Sequence, residues 1–176
     1  IGAIILALRF QKEFGWFKGI YYGIFHSVSA FCNAGFDLMG TKEAYSSFTA
    51  YASDPVVNIV IMVLIVIGGL GFFVWNDLSV NKYHFSRYRL HTKIVLTTTV
   101  ILIVGGAVLL YIFESENTLN GMSASEKILC SFFGSVTART AGFNTVDTAA
   151  LSDSSKIVTI LLMFIGGSPG STAGDI

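Results

Sequence analysis

Charged residues fall in a few clusters, and the runs between them define the elements. From Pro55 to Asn76 about 22 consecutive residues carry no charge, roughly 33 Å of helix and enough to cross a bilayer core. Ile94 to Phe113 is a second such run of about 20 residues and predicts a second span. Ile1 to Leu8 reads as the tail of a helix, with Arg9 to Lys18 as a short polar connection after it. Two other uncharged runs do not fit a span. Gly19 to Phe36 carries His26, Ser27, Ser29, Cys32 and Asn33, and Ile128 to Ala138 is only about 11 residues long. Polar backbone is tolerated at membrane depth only inside protein or beside a water-filled cavity, so each predicts a half-helix that enters and returns. Trp16, Phe17, Tyr21 and Tyr22 suit an interfacial belt at the start of the first. Ser123 or Ser125 offers an N-cap to the second, with Glu126 favourable in its first turn. The last element, Ile157 to Ile165, follows Ser154 and Ser155 and breaks at Gly166-Gly167-Ser168-Pro169-Gly170, where proline removes a donor and glycine weakens helix.

The order is therefore span, half-helix, return, span, written twice. The first return reads Asn33-Ala34-Gly35-Phe36-Asp37 and the second Thr140-Ala141-Gly142-Phe143-Asn144. The closing spans carry Ile67-Gly68-Gly69 and Ile165-Gly166-Gly167. Both units run in the same sense, so the repeat is parallel. Each half-helix needs walls to hide its polar return, and about four units around one axis are expected.

Composition places the chain in the lipid bilayer. It is 53% hydrophobic and 12% charged over 176 residues, where soluble domains carry about 25% charged residues. That hydrophobic fraction, with only 2 prolines and a net charge of zero, excludes a disordered tail, and the charge gives no basic signature for nucleic acid. Charge orients it: Lys82, His84, Arg87, Arg89, His91 and Lys93 lie in a stretch without an acidic residue from Asp77 to Glu114, a cytoplasmic loop by the positive-inside rule. Arg9, Lys12 and Lys18 then lie outside. Cys32 and Cys130 have no metal-ligand spacing and read as small buried hydrophobes. Both ends fall in apolar sequence without a signal peptide, so the chain reads as a stretch of a longer multi-span protein.

Two glycine returns after half-helices suit a cation filter. A dehydrated monovalent cation needs oxygen ligands, which rings of backbone carbonyls supply in potassium channels. Aiming successive carbonyls at one axis takes torsions that glycine adopts cheaply, so Gly35 and Gly142 hold the demanding positions. The half-helices direct their negative C-terminal dipole ends inward. Phe36 and Phe143 are expected as props behind the filter, and Asp37 as a cation concentrator at its mouth. The plain alternative is a helix-ending turn with glycine at C′. Arg139 reads as a brace, paired with a carboxylate or with loop carbonyls, and His26 as a packed, hydrogen-bonded histidine. The stretch Gly166 to Gly174 lacks the Lys-Ser/Thr ending of a phosphate loop. It reads as a non-helical insert that gates the path below the filter, or as close helix packing through Gly170 and Gly174.

Three stretches carry a resemblance: Ser29 to Asp37; Arg139 to Thr145; and Gly166-Gly167-Ser168-Pro169-Gly170-Ser171-Thr172-Ala173-Gly174. They resemble the Trk/Ktr/HKT superfamily of potassium transporters, and most the bacterial Ktr membrane subunit. The resemblance implies an all-α integral membrane fold of repeated helix–pore-loop–helix units, four to a chain. Residues 1–81 look like the second unit with its first helix truncated, 82–93 a cytoplasmic basic loop, and 94–176 the third unit up to its broken helix. It implies K+ coordination by the carbonyls of Asn33, Ala34, Gly35, Phe36, Thr140, Ala141, Gly142 and Phe143. It implies a gate at 166–174, sodium dependence, a homodimer, and a cytoplasmic ring of nucleotide-binding regulatory subunits facing the basic loop. The family pattern continues with a second glycine and Ile-Lys where this chain has Asp175 before Ile176, which would alter the gate's charge. A carrier with a substrate site at the broken helix is the rival function. No zinc spacing or nucleophile–base set points to an enzyme.

Overall fold

Apolar helix-forming residues fill the long runs, and the computed structural model, which describes residues 1–41, 46–82 and 84–174, is all-helical. No strand occurs among the described residues. Helix α1 (Gly2–Phe31) is two arms around Gly15, whose φ of 77° and ψ of 171° leave helical space. Beyond it Gly23 faces Ala7 so closely that a Cβ would sit 2.5 Å from the Ala7 nitrogen, and Gly19 faces Gln11. The arms are antiparallel, and the second is the element expected as the first half-helix. The polar connection expected from Arg9 to Lys18 is therefore reduced to a point. Gln11, Lys12 and Glu13 are good helix formers and prolong the first arm, and one glycine at positive φ suffices to reverse the chain.

Asp54 caps α2 (Pro55–Gly69), accepting from the Val56 and Val57 N–H groups at 3.0 and 3.3 Å, with Pro55 in the first helical position. The single span expected from Pro55 to Asn76 is broken. After Gly69 the chain bends, and α3 (Phe72–Asn81) leaves at 95°. Gly71 turns there at φ 86°. The backbone groups freed by the bend are taken up by the loop after the last helix: Phe72 N–H donates to Gly170 O at 3.0 Å, and Ser168 N–H donates to Gly69 O at 3.1 Å.

Helix α4 (Leu90–Glu114) has 25 residues and is, among the described residues, the one helix long and apolar enough to cross a bilayer unaided. Thr97 Oγ1 bonds back to Lys93 O at 2.7 Å, as the threonine run predicts. Lys93 lies inside α4, so the basic connection ends at Arg89, whose N–H donates to Asp77 Oδ2 at 2.8 Å. Helix α5 (Ala124–Thr140) is the element expected as the second half-helix, but it has 17 residues, roughly 25 Å, where the sequence predicts an uncharged run of about 11. Glu126, Lys127 and Arg139 join it, and Ser123 and Glu126 close a capping box at its start. It packs on α4 where a Cβ at Gly106 would lie 2.4 Å from Ser135 Oγ. Helix α6 (Asp153–Ile165) begins before the expected serines because Ser152 is its cap. Glu114 holds that cap, accepting from the Ser152 N–H at 2.9 Å and its hydroxyl at 2.7 Å. The helix ends where expected, with Gly166 at φ 67°.

The core joins both units: Phe10, Tyr22 and Ile61 of the first lie in one cluster with Phe133, Val136 and Phe143 of the second. Of the two cysteines, Cys130 is buried, whereas Cys32 is exposed at the end of α1, against expectation. Ile20, Ile24 and Val28 along α1, and Ile157, Ile160 and Phe164 on α6, leave large apolar side chains on the outside.

Candidate functional site

The first half-helix ends in a Schellman closure. Asn33 N–H donates to Ala30 O at 3.1 Å and Ala34 N–H to Ser29 O at 2.9 Å, with Asn33 at φ 54° in the left-handed position. Asparagine tolerates that position, which leaves Gly35 free of capping. Gly35 has φ 69°, and a Cβ there would lie 2.0 Å from the Ala141 carbonyl oxygen. Beyond it, Ser29 Oγ donates to Phe36 O at 2.7 Å, using one of that carbonyl's two lone pairs.

The second half-helix runs two residues further relative to its return, to a cap at Ala141. Gly142 follows at φ 96°, its N–H donating to Thr137 O and Oγ1 at 3.2 Å each. A Cβ on Gly142 would meet nothing within 4 Å. The structure therefore brings the two returns into backbone contact. The helix-cap alternative accounts for Gly142, which sits at C′. It does not account for Gly35, two residues past its own C′ at Asn33.

Phe143 packs as a prop, fully buried against Phe48 with ring centroids 5.4 Å apart. Phe36 does not: it is 70% exposed. Phe143 leans on a ring from the first unit's loop, and no equivalent loop covers Phe36 among the described residues. His26 is the packed histidine expected. Its Nδ1–H donates to Tyr22 O at 2.7 Å and its Nε2 accepts from Leu38 N–H at 3.1 Å, which ties the chain beyond the first return to the half-helix. Asp37 accepts from Met39 N–H at 2.9 Å. Arg139 braces a loop carbonyl, Nε and Nη2 both donating to Gly166 O at 3.2 and 3.1 Å.

The stretch 166–174 is non-helical, with Gly166, Gly170 and Gly174 all at positive φ, so helical packing through Gly170 and Gly174 does not occur. It seats on the α2–α3 bend. Thr172 N–H donates to Gly68 O at 3.3 Å and Thr172 Oγ1 to Phe31 O at 2.7 Å. Asp175 lies outside the described residues. Between the second return and the end of α6 a cavity of about 590 Å³ opens, lined in part by Gly142, Phe143, Phe164 and Gly174. The seat of this loop is the feature that sequence reading missed. Its one visible trace was the Gly68-Gly69 pair, which reads as a packing or bending site without naming the partner.

Several known proteins are similar to this chain. The potassium/sodium uptake protein NtpJ of Enterococcus hirae is 44% identical over 178 residues, covering 100% of this chain and 38% of its own length. The Ktr system potassium uptake protein B of Bacillus subtilis is 39% identical, covering 100% of this chain and 39% of its own. The chain thus spans well under half the length of these relatives. The crystal structure of the potassium transporter TrkH from Vibrio parahaemolyticus superposes with a TM-score of 0.70 over 98% of this chain and 35% of that one, at 22% identity, a likeness of fold. Residues 3–176 match the family model TrkH, described as a cation transport protein, and the chain belongs to that family of membrane proteins.

Proposed function

We propose that this chain supplies two of four pore-loop units to a potassium-conducting transporter of the plasma membrane. The carbonyls of Asn33 to Phe36 and Thr140 to Phe143 replace the hydration shell of K+. The observation that carries this reading is the contact of the two returns, with Gly35 against the Ala141 carbonyl where no Cβ fits. Two half-helices end at that contact, so the negative ends of two dipoles converge on a site for a cation. The rival carrier needs half-helix N-termini aimed at an anion, the opposite polarity. The named activities of the E. hirae and B. subtilis relatives support potassium as substrate, and the former supports sodium as a companion ion.

The loop 166–174 is the gate, clamped at its first residue by Arg139. Residues 1–81 and 94–176 are the second and third units, and 82–93 is the cytoplasmic connection. The complete protein is a homodimer on a ring of cytoplasmic nucleotide-binding regulatory subunits, which that basic connection faces. Gly142→Ser in the full-length protein tests the filter, by potassium uptake in cells lacking their own. Preference for potassium over sodium is expected to fall, and an unchanged preference would show that these carbonyls do not select the ion.

A further inference from the structure

Three segments far apart in sequence meet at one amide. One end of the Asn33 side chain lies 2.8 Å from Thr140 Oγ1 and the other 3.1 Å from Thr172 Oγ1. These pairings survive a turn of the amide, and with its nitrogen toward Thr140 it also reaches Ile65 O at 3.2 Å and Gly69 N–H at 3.3 Å. Asn33 is buried. Gly68 makes the meeting possible: a Cβ there would lie 1.9 Å from Phe31 O, 2.8 Å from the Asn33 amide and 2.9 Å from Thr172 Oγ1. The same residue thus ends the first half-helix, holds its counterpart in the second return, and holds the loop that interrupts the path.

We propose that Asn33 is a positioning residue that couples ion selection to gating, an inference that rests on the filter and gate assigned above. Its backbone belongs to the filter, while its side chain latches the seated loop through Thr172. Release of the loop breaks the Asn33–Thr172 and Thr172–Phe31 hydrogen bonds together. Asn33 then loses one of its two hydroxyl partners, and both returns, joined through Thr140, lose their fixed spacing. Because coupling between two equilibria is reciprocal, a filter filled with its preferred ion favours the seated loop, and a filter distorted by a poor ion favours release. Thr172 needs its hydroxyl for this role, since its oxygen accepts from the Asn33 amide N–H while its single proton is donated to the Phe31 carbonyl.

The test uses the full-length protein in proteoliposomes, with potassium flux and the potassium-to-sodium permeability ratio read for Thr172→Val and Thr172→Ser. Thr172→Val is expected to raise flux and to lower the ratio, each by about fivefold, the worth of one net hydrogen bond. Thr172→Ser, which keeps the hydroxyl, should restore both. A flux that rises while the ratio stays fixed, or a valine variant like wild type in both, overturns the coupling. Should Thr172→Val fail to assemble, Thr140→Val reads the same link from the filter end, where a lowered ratio with unchanged flux overturns it and a change in both supports it. Failure of the underlying filter reading is separately visible, because Gly142→Ser would then leave the ratio unchanged.

Discussion

The two units share a path and differ in almost every residue that fixes it. At the end of the first that lies away from its return, Arg9 on the first arm pairs with Asp54, which caps α2. At the same station of the second, Glu114 on α4 holds the hydroxyl and N–H of Ser152, which caps α6. Half-helix meets membrane helix through the backbone at Gly19 and Gly23 in the first unit, and through Gly106 and Ser135 in the second. The first return is turned by Asn33 and leaves its glycine to a close approach, whereas the second is turned by Gly142 itself. What repeats is geometry: a linked end away from the return, a tight helix pair, a positive φ at the return, and a glycine break in the closing helix. Each requirement has more than one chemical solution.

The difference between the glycines gives the largest expected effect. Gly35→Ala must push the two returns apart, and potassium uptake by the full-length protein should fall to background. Gly142→Ala meets open space and suffers only backbone strain of about 1–2 kcal/mol, so measurable uptake should remain. Equal losses would erase the distinction drawn between close approach and torsion. Next in size are the ties at the linked ends. Glu114 is 2% exposed and its carboxylate also accepts from the Thr118 hydroxyl at 2.7 Å and the Asn117 amide at 2.9 Å, so Glu114→Ala strands several donors and should cost about 3 kcal/mol. The Arg9 side chain is 42% exposed and its pair is screened, so Asp54→Ala should cost chiefly the cap, about 1 kcal/mol. Unfolding in detergent that ranks Asp54→Ala as the more damaging would reverse this order. The smallest effect is expected where the units differ most plainly. Arg139 aligns with Cys32, and Arg139→Cys, copying the first unit, removes the clamp on Gly166 O and should raise flux a few-fold, with the potassium-to-sodium ratio falling in step as the loop lets go of Asn33. A variant with wild-type flux would reduce Arg139 to a packing role.

Much of the path was legible because burial in a membrane constrains sequence strongly. Runs without charge located the apolar helix around Ile94 to Phe113 and the helices that lead into the two returns, though Glu126, Lys127 and Arg139 lengthen the second of these, and the duplicated Ala-Gly-Phe marked two returns that do meet. Long-range partners left weaker traces. Glycine-rich stretches announced that Gly68-Gly69 and Gly166-Gly167 were special, yet a 95° bend and a docked loop depend on what arrives from another part of the chain. Asn33 was read for its carbonyl, and nothing local assigns its amide to Thr140 and Thr172. The polar stretch Arg9 to Lys18 misled for the opposite reason. Polarity suggested a loop, but helix propensity extended the arm, and a single glycine made the turn.

That single-residue turn at Gly15 bears on how the protein is made. A half-helix entering the bilayer alone would carry the unsatisfied polar end of its backbone into hydrocarbon, at several kcal/mol for each exposed group. The arms of α1 instead close on each other with Gly23 against Ala7 and Gly19 against Gln11, contacts that involve only neighbours in sequence. The first arm and the half-helix can therefore leave the translocation machinery as one hairpin turned at Gly15, with the return at its open end until the second unit is synthesised and Thr140 arrives to meet Asn33.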